Sequence, residues 1–342
     1  MYESFYGLTA KPFQLKPDPS FYFGSKGHKR AMAYLEYGLS QGEGFIVITG
    51  EVGAGKTTLV RNLFRQLDSQ KILAAQIVNT HLNSDDTLRM VAGAFGLAFE
   101  GASKATLLTR IEQFLRQCDE RGQRALLVVD EAQNLSPQTV EELRMLSNFQ
   151  TDDKSLLQTF LLGQPEFRKT LLSPEMLQLR QRVIATYHLG PMDASETRTY
   201  IEHRLQTVGW KGDPSIDDAA FADIHAFTGG IPRKINTLCD RLLLMGYLEE
   251  LHAFSVPQIQ EVIGDIQQEF EVPGETADEG DGGQGALTMA SLGLAERSRA
   301  DVDLDLMDER LSRIERSVVS VLDALKKILS SPRLKNLPNE PH

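Results

Sequence analysis

The sequence predicts an α/β protein in which a parallel sheet, covered by helices on both faces, is followed by a smaller helical domain. Short apolar runs alternate with helical patterns from about residue 45 to 190, and only helical patterns follow Pro191. Long helical connections imply crossovers, and crossovers join parallel strands. The third observation is a glycine-rich motif directly after the first apolar run.

Five short runs rich in Val, Ile and Leu are the predicted strands. Their length and composition favour buried strands over helices. Because the runs are nearly continuous, both faces of the sheet are expected to be covered. They are FIVIT (45–49), ILAAQIV (72–78), LLVV (126–129), TFLL (159–162) and VIATYHL (183–189).

The segment 191–270 is predicted to form an all-helical domain of four helices. Each predicted start carries a capping residue or a proline suited to a first helical turn. The second helix is expected near 216–227. In chain order, the starts are the capping-box pair Asp193 and Glu196, then Ser215, Pro232, and the pair Ser255 and Pro257.

Two different patterns follow this domain. Residues 271–300 are acidic, rich in Gly and poor in large apolar side chains, which is typical of a flexible linker. In 301–332 apolar residues recur at heptad spacing, which predicts a coiled coil. An amphipathic helix folded back on the body is the alternative. The heptad positions are Leu304, Met307, Leu311, Ile314, Val318, Val321, Leu325 and Ile328.

Composition limits the classes of function. The net charge of −11 argues against a broad basic surface for nucleic acid. Cys118 and Cys239 lack the spacing of a metal site or a disulfide framework, so we expect core thiols in a reducing compartment. No signal peptide is visible, and no apolar stretch approaches the roughly 20 residues that span a bilayer. We expect a cytoplasmic protein that reaches the membrane only through a partner.

The motif GEVGAGKT satisfies the pattern G-x-x-x-x-G-K-[ST] between a predicted strand and a helix. Glycines let such a loop wrap closely, so that backbone N–H groups point at phosphate oxygens. Lys56 is expected to reach the β- and γ-phosphates, and Thr57 to ligate Mg²⁺. The predicted nucleotide contacts of this loop are Gly50, Glu51, Val52, Gly53, Ala54, Gly55, Lys56, Thr57 and Thr58.

Two adjacent carboxylates end the third predicted strand, in LLVVDEAQ. Open α/β sheets place their ligands at this carboxyl edge. Asp130 is expected to support Mg²⁺, directly or through water, and Glu131 to act as general base toward the attacking water. The guanine signature Asn-Lys-x-Asp does not occur, which favours ATP. Four aromatic residues are expected either to form an apolar wall beside the adenine base or to pack in the core: Tyr2, Phe5, Phe13 and Tyr22.

The helix predicted at Pro232 has an unusual first turn. The positive end of a helix dipole favours acidic side chains, yet this turn carries Arg233 and Lys234. The pattern indicates an external anion near the helix start.

These motifs carry a resemblance to a known family. With FYGLTAKPFQLKPDPSFYFGSKGHKRAMAYLEYGL, GEVGAGKTTLVR, VVDEAQNL, LLGQPEF, LRQRV and GGIPRKIN, the chain resembles the AAA+ ATPases over about residues 1–270. More narrowly it resembles the general-secretion-pathway protein A group, and within it the ATPase of exosortase (PEP-CTERM) and exopolysaccharide gene clusters. The resemblance implies a P-loop AAA+ core at 1–190, whose N-terminal segment flanks the nucleotide, and a helical lid at 191–270.

The resemblance implies three further roles. Gln164 resembles sensor 1, which helps to place the hydrolytic water, although this position often holds Asn. Arg182 resembles the arginine finger that reaches a neighbouring subunit's γ-phosphate, with Arg180 as the alternative. Arg233 resembles sensor 2, which makes the nucleotide phosphate the anion at its helix; Lys234 is the residue expected to stay in solvent.

We therefore expect an ATP-hydrolysing protein that forms ATP-dependent homo-oligomers. Its cycle would drive or regulate assembly of an envelope secretion or exopolysaccharide export system. The coiled coil is expected to self-associate or to dock on an inner-membrane component. Two other functions stay open: a DNA-associated regulator, since transposition ATPases share this core, and an ATP-switched scaffold with little turnover.

Overall fold

A computed structural model describes residues 1–78, 84–152 and 154–270. The predicted linker (271–300) and coiled coil (301–332) lie outside the described residues. Within the described part, no helix is both long enough and apolar enough to cross a membrane.

A five-stranded parallel sheet forms the centre of the fold, with strand order β2-β3-β4-β1-β5. All five predicted strands are confirmed. Because β3, β4 and β1 are neighbouring parallel strands, the loops that leave their carboxyl ends meet at one edge of the sheet. The strands are β1 (Phe45–Gly50), β2 (Ile72–Ile77), β3 (Arg124–Val129), β4 (Leu157–Gly163) and β5 (Val183–Leu189).

Helices cover both faces of the sheet, as the continuous apolar strands predict. One core cluster takes Val47, Leu127 and Leu161, and the opposite cluster takes the alternate residues Ile48 and Val128. The helices that precede the bundle in the described chain are α1 (Tyr2–Phe5), which does not lie on the sheet, α2 (Lys26–Gln41), α3 (Lys56–Gln66), α4 (Ser84–Ala94), α5 (Lys104–Glu120), α6 (Pro137–Leu146), α7 (Pro165–Leu172) and α8 (Leu177–Arg180).

In the described residues after the sheet, four helices form a small bundle. The capping box at Asp193 and Glu196 is present. Two short strands that the sequence analysis missed, β6 (Ser215–Ile216) and β7 (Ala253–Phe254), pair in parallel, so the segment is not purely helical. The helices are α9 (Ala194–Thr207), α10 (Asp218–Thr228), α11 (Pro232–Leu248) and α12 (Val256–Phe270).

The predicted cap of the second bundle helix is wrong. Asp217, not Ser215, is the N-cap residue of α10. The backbone N–H of Ser215 instead donates to the carbonyl of His252 (2.9 Å), which holds Ser215 in the short strand pair. A partner from a distant part of the chain therefore decides where this helix begins.

The N-terminal segment packs against the bundle rather than the sheet. Tyr2 and Phe13 are buried in the bundle's apolar cluster. The Arg204 guanidinium of α9, only 6% exposed, donates to the carbonyls of Pro12 (2.5 Å) and Gln14 (3.2 Å). It also lies over the ring of Phe21, 4.7 Å from its centroid. The chain then continues into α2 on the sheet, so residues 14–23 bridge the two parts and form a wall between them.

Candidate nucleotide-binding site

A cavity of about 300 Å³ lies at the carboxyl edge of the sheet, between the loop after β1, the N-terminal wall and the bundle. Most of the predicted site residues line it: Val52, Gly53, Gly55, Lys56, Thr57, Thr58, Glu131, Gln164 and Arg233. Gly50, Glu51, Ala54 and Asp130 are not among the lining residues. Of the four aromatic residues predicted for the base or the core, Tyr22 lines the cavity, whereas Tyr2, Phe5 and Phe13 belong to the bundle cluster. Phe21 and Phe23, which were not predicted, also line the cavity.

The loop Gly50–Lys56 owes its shape to glycines in the left-handed region. Gly53 has φ 80° and Gly55 has φ 98°. A Cβ on Gly55 would lie 2.7 Å from Nε2 of His28, and one on Gly53 would overlap the Cβ of Arg233. Only glycine therefore allows the loop to turn while both α2 and α11 approach it.

Lys56 is the first residue of α3 and is only 7% exposed. Its Nζ donates to the carbonyls of Gly50 (2.6 Å) and Glu51 (3.0 Å). Burial lowers the pKa of the Lys56 ammonium, and the nearby carboxylates of Glu131 and Asp130 oppose that effect. The Lys56 ammonium, which contacts carbonyls of its own loop at the N-terminus of α3, is suited to contact a phosphate that binds there.

Thr57 and Asp130 bring two oxygen donors together beside this lysine. The Thr57 hydroxyl donates to Oδ2 of Asp130 at 2.9 Å. Burial raises the pKa of the Asp130 carboxyl, which is 2% exposed, and the hydrogen bond from Thr57 opposes that shift. Among the residues described, no cluster of three or more His, Cys, Asp or Glu side chains could hold a metal. The pair fits Mg²⁺, which takes few protein oxygens and completes its shell with phosphate and water.

Glu131 lies at the turn after β3 in a left-handed backbone conformation, with φ 56° and ψ 43°. Its Oε2 accepts from Nε2 of Gln133 (2.6 Å) and from Nε2 of Gln164 (3.3 Å). The side chain faces the cavity. Non-glycine residues in this conformation are uncommon and concentrate at functional sites. The structure thus places the predicted base and the predicted sensor 1 amide in direct contact.

Helix α11 meets the phosphate-binding loop at its first turn. Its N-cap residue, Ile231, offers no side-chain acceptor, and the backbone N–H of Arg233 instead donates to the carbonyl of Gly53 at 3.2 Å. Arg233 and Lys234 are both exposed, but only Arg233 lines the cavity. The expected anion position is therefore beside Arg233.

Arg182 does not approach the cavity of its own chain. Its carbonyl accepts from the N–H of Phe45, the first residue of β1, so it lies at the opposite, amino-terminal edge of the sheet. Its guanidinium donates to the hydroxyl of Ser147 at 2.7 Å. Arg180 donates to the carbonyl of Leu171 at 3.2 Å. Neither arginine is among the residues that line the cavity.

Several residues of the site were not predicted from the sequence. His28 and Asn236 line the cavity. Gln133, in the DEAQ run, is not among the lining residues but contacts Glu131. Asn236 follows Arg233 by three residues and therefore shares its helix face. The Asn236 Oδ1 accepts from the Tyr200 hydroxyl at 2.8 Å, and that hydroxyl accepts from Arg204, also at 2.8 Å. This network links the base of the cavity to the N-terminal wall.

Comparisons with known proteins agree with this geometry. Residues 39–171 match the family model described as AAA domain. Solved structures share the fold: Aeropyrum pernix ORC2 in its ADPNP-ADP complexes has a TM-score of 0.58 at 16% identity, covering 75% of this chain and 71% of that one. Cdc6p of Pyrobaculum aerophilum has a TM-score of 0.54 at 15% identity, covering 77% and 71%. The chain has the P-loop AAA+ fold.

One curated relative is much closer in sequence. The chain is 40% identical over 253 residues to general secretion pathway protein A of Aeromonas hydrophila, and so is related to that protein. The match covers 74% of this chain but 46% of the relative, so the chain spans less than half of the relative's length.

His28 gives the site a pH-dependent element. Its Nδ1 lies 2.8 Å from the Ser25 hydroxyl, and burial lowers the pKa of its ring to about 4. The unfolded value is about 6.5. Between these pH values the unfolded chain binds more protons than the folded chain. The stability that His28 affects is therefore fully present above pH ~6.5 and falls toward pH 4.

We therefore expect the free energy of unfolding to depend less on pH between pH 4 and 6.5 in His28→Gln than in the wild type. In the wild type the histidine accounts for a loss of up to about 3 kcal/mol between pH 6.5 and 4. Urea unfolding of both proteins across this range measures the difference. Parallel curves for the two proteins would contradict the assignment.

Proposed function

We propose that this chain binds ATP with Mg²⁺ in the cavity and hydrolyses it. The observation that carries the proposal is the convergence of Lys56, the Thr57–Asp130 pair, Glu131 and Arg233 on one space at the sheet edge. These are the parts that phosphoryl transfer to water needs: a cradle for the phosphates, a metal site, a base and a cation from a second body. Adenine is favoured by the missing guanine signature.

Each residue has one task in this proposal. Lys56 leaves its loop carbonyls to contact the β- and γ-phosphates, and Thr57 with Asp130 holds Mg²⁺, which would neutralise charge on the phosphate oxygens. Glu131 accepts the proton of the attacking water, while Gln164, which contacts Glu131, helps to orient that water. Arg233 contacts the phosphate from the bundle side. Loss of the γ-phosphate removes that contact and frees α11 to shift.

We further propose that hydrolysis requires a second copy of the chain. Arg182 lies at the edge of the sheet away from its own cavity, a position suited to a residue that acts on a neighbour's nucleotide. Its hydrogen bond to Ser147 holds the guanidinium before assembly. Because the finger and the cradle come from different copies, the rate per chain should depend on assembly.

The cycle would drive or regulate an envelope export system. The relationship to general secretion pathway protein A supports a secretion role. The narrower proposal, an exosortase (PEP-CTERM) or exopolysaccharide system with an inner-membrane partner of the C-terminal heptad segment, rests on the sequence resemblance. The Drosophila ORC structure, at 15% identity and a TM-score of 0.56, is described as bound to DNA, but this likeness bears on the fold alone.

Replacing Glu131 by Gln is expected to trap ATP on the protein. The amide keeps the shape of the side chain but accepts no proton, so phosphate release should fall by about 10²–10⁴-fold while ATP binding persists. Lys56→Ala, the matched control, should lose binding itself. Phosphate release and retention of labelled ATP measure the two effects. Unchanged turnover in E131Q would contradict the assignment of Glu131 as the general base. A wild type that binds ATP without releasing phosphate would favour the scaffold function.

Arg182→Ala is expected to lower turnover by about 10³-fold or more, with ATP affinity kept, because a finger acts on the transition state. Arg180→Ala is the matched control. Mixing the Arg182→Ala chain with the Lys56→Ala chain should restore part of the activity, since each supplies what the other lacks. Full activity in both Arg182→Ala and Arg180→Ala, or no gain on mixing, would count against a shared site, and a loss in Arg180→Ala alone would make Arg180 the finger.

A further inference from the structure

The side chain of Gln133 joins two residues of the proposed catalytic site through its two ends. Its amide nitrogen donates to Oε2 of Glu131 at 2.6 Å. Its amide oxygen accepts from the backbone N–H of Gln164 at 3.0 Å. The Gln164 side chain closes the triangle with its own contact to Oε2 of Glu131 at 3.3 Å. Gln133 thus links the end of β3 to the end of β4.

The local backbone explains why residue 133 reaches back to residue 131. Glu131 turns the chain in the left-handed region, and the short 3₁₀ turn Ala132–Asn134 follows directly. The methyl of Ala132 is fully buried and anchors that turn, while Gln133 stays half-buried beside the carboxylate. A left-handed residue at this position costs about 1–2 kcal/mol, which the surrounding contacts must offset.

We propose that Gln133 is a positioning residue that fixes the Glu131 carboxylate for proton abstraction. Two amide donors on one oxygen define the plane of the carboxyl group, and a general base must present its lone pair within hydrogen-bond reach of the water. Amide hydrogen bonds to a charged acceptor are also stronger than those between neutral groups. This inference rests on the proposed function, since it assigns Glu131 as the base.

The two ends of the amide allow a sharp test. Gln133→Leu keeps most of the volume and removes both hydrogen bonds. Gln133→Glu keeps an oxygen that can accept from the Gln164 N–H, but it replaces the donor with a second carboxylate facing Glu131. If Gln133 only braced Gln164, the Glu variant would be active. If it orients Glu131 as a donor, the Glu variant should be as impaired as the Leu variant.

Steady-state ATP hydrolysis by the full chain gives the readout. We expect Gln133→Leu and Gln133→Glu to lower kcat by roughly 10- to 100-fold, the range set by one hydrogen bond to a charged group. KM and the affinity for a fluorescent ATP analogue should stay within about twofold. The control is Gln138→Leu, the same exchange on an exposed side chain five residues on, which should leave kcat unchanged.

A double-mutant cycle shows whether the effect passes through Glu131. In an E131Q background, Gln133→Leu should lower the residual rate by less than about twofold. A wild-type rate in Gln133→Glu, a loss confined to KM, or a full loss that persists in E131Q would each overturn this inference alone. A wild type that binds ATP but does not hydrolyse it would overturn the proposed function, and the role of Gln133 with it.

Discussion

The hydrogen bond between the N–H of Arg233 and the carbonyl of Gly53 is the contact on which the site depends. The first backbone N–H groups of a helix without a side-chain cap need another hydrogen-bond acceptor. Here the carbonyl of Gly53 in the phosphate-binding loop accepts from Arg233. The contact is possible because Gly53 has no side chain that would collide with Arg233. The bundle therefore rests on the loop itself, and any ligand that rearranges the loop also acts on the bundle.

The charges of the site follow from its burial. Lys56 and Asp130 are almost excluded from solvent, so burial pushes their pKa values in the directions that disfavour charge. Lys56 and Asp130 do not form an ion pair with each other. Lys56 donates to backbone carbonyl oxygens, and Asp130 accepts from the Thr57 hydroxyl. Phosphate would add a further anion beside Lys56, and Mg²⁺ a further cation beside Asp130, to the opposite charges that already lie nearby. The arrangement is consistent with a site built around a ligand.

Features set by neighbouring residues were predictable from the sequence. The five strands have local apolar patterns, the loop has its glycines and lysine in one run, and the capping box spans four residues. Features set by distant partners were not predictable. The prediction that Ser215 caps α10 was wrong because a hydrogen bond to His252 keeps Ser215 in a strand. No local sequence pattern indicates that Arg204 donates to the carbonyl of Pro12. Gln133 was missed because its role depends on the turn of Glu131.

The central claim is that a triphosphate lies between the loop and the first turn of α11. Equilibrium titration of the full chain with a non-hydrolysable adenine nucleotide and Mg²⁺ tests it most directly. We expect saturable binding. Arg233→Ala should weaken it by about tenfold or more, as loss of a charge-assisted contact does, whereas Lys234→Ala should change the affinity by less than about twofold. Equal affinities for the two variants, or no binding by the wild type, would contradict the claim.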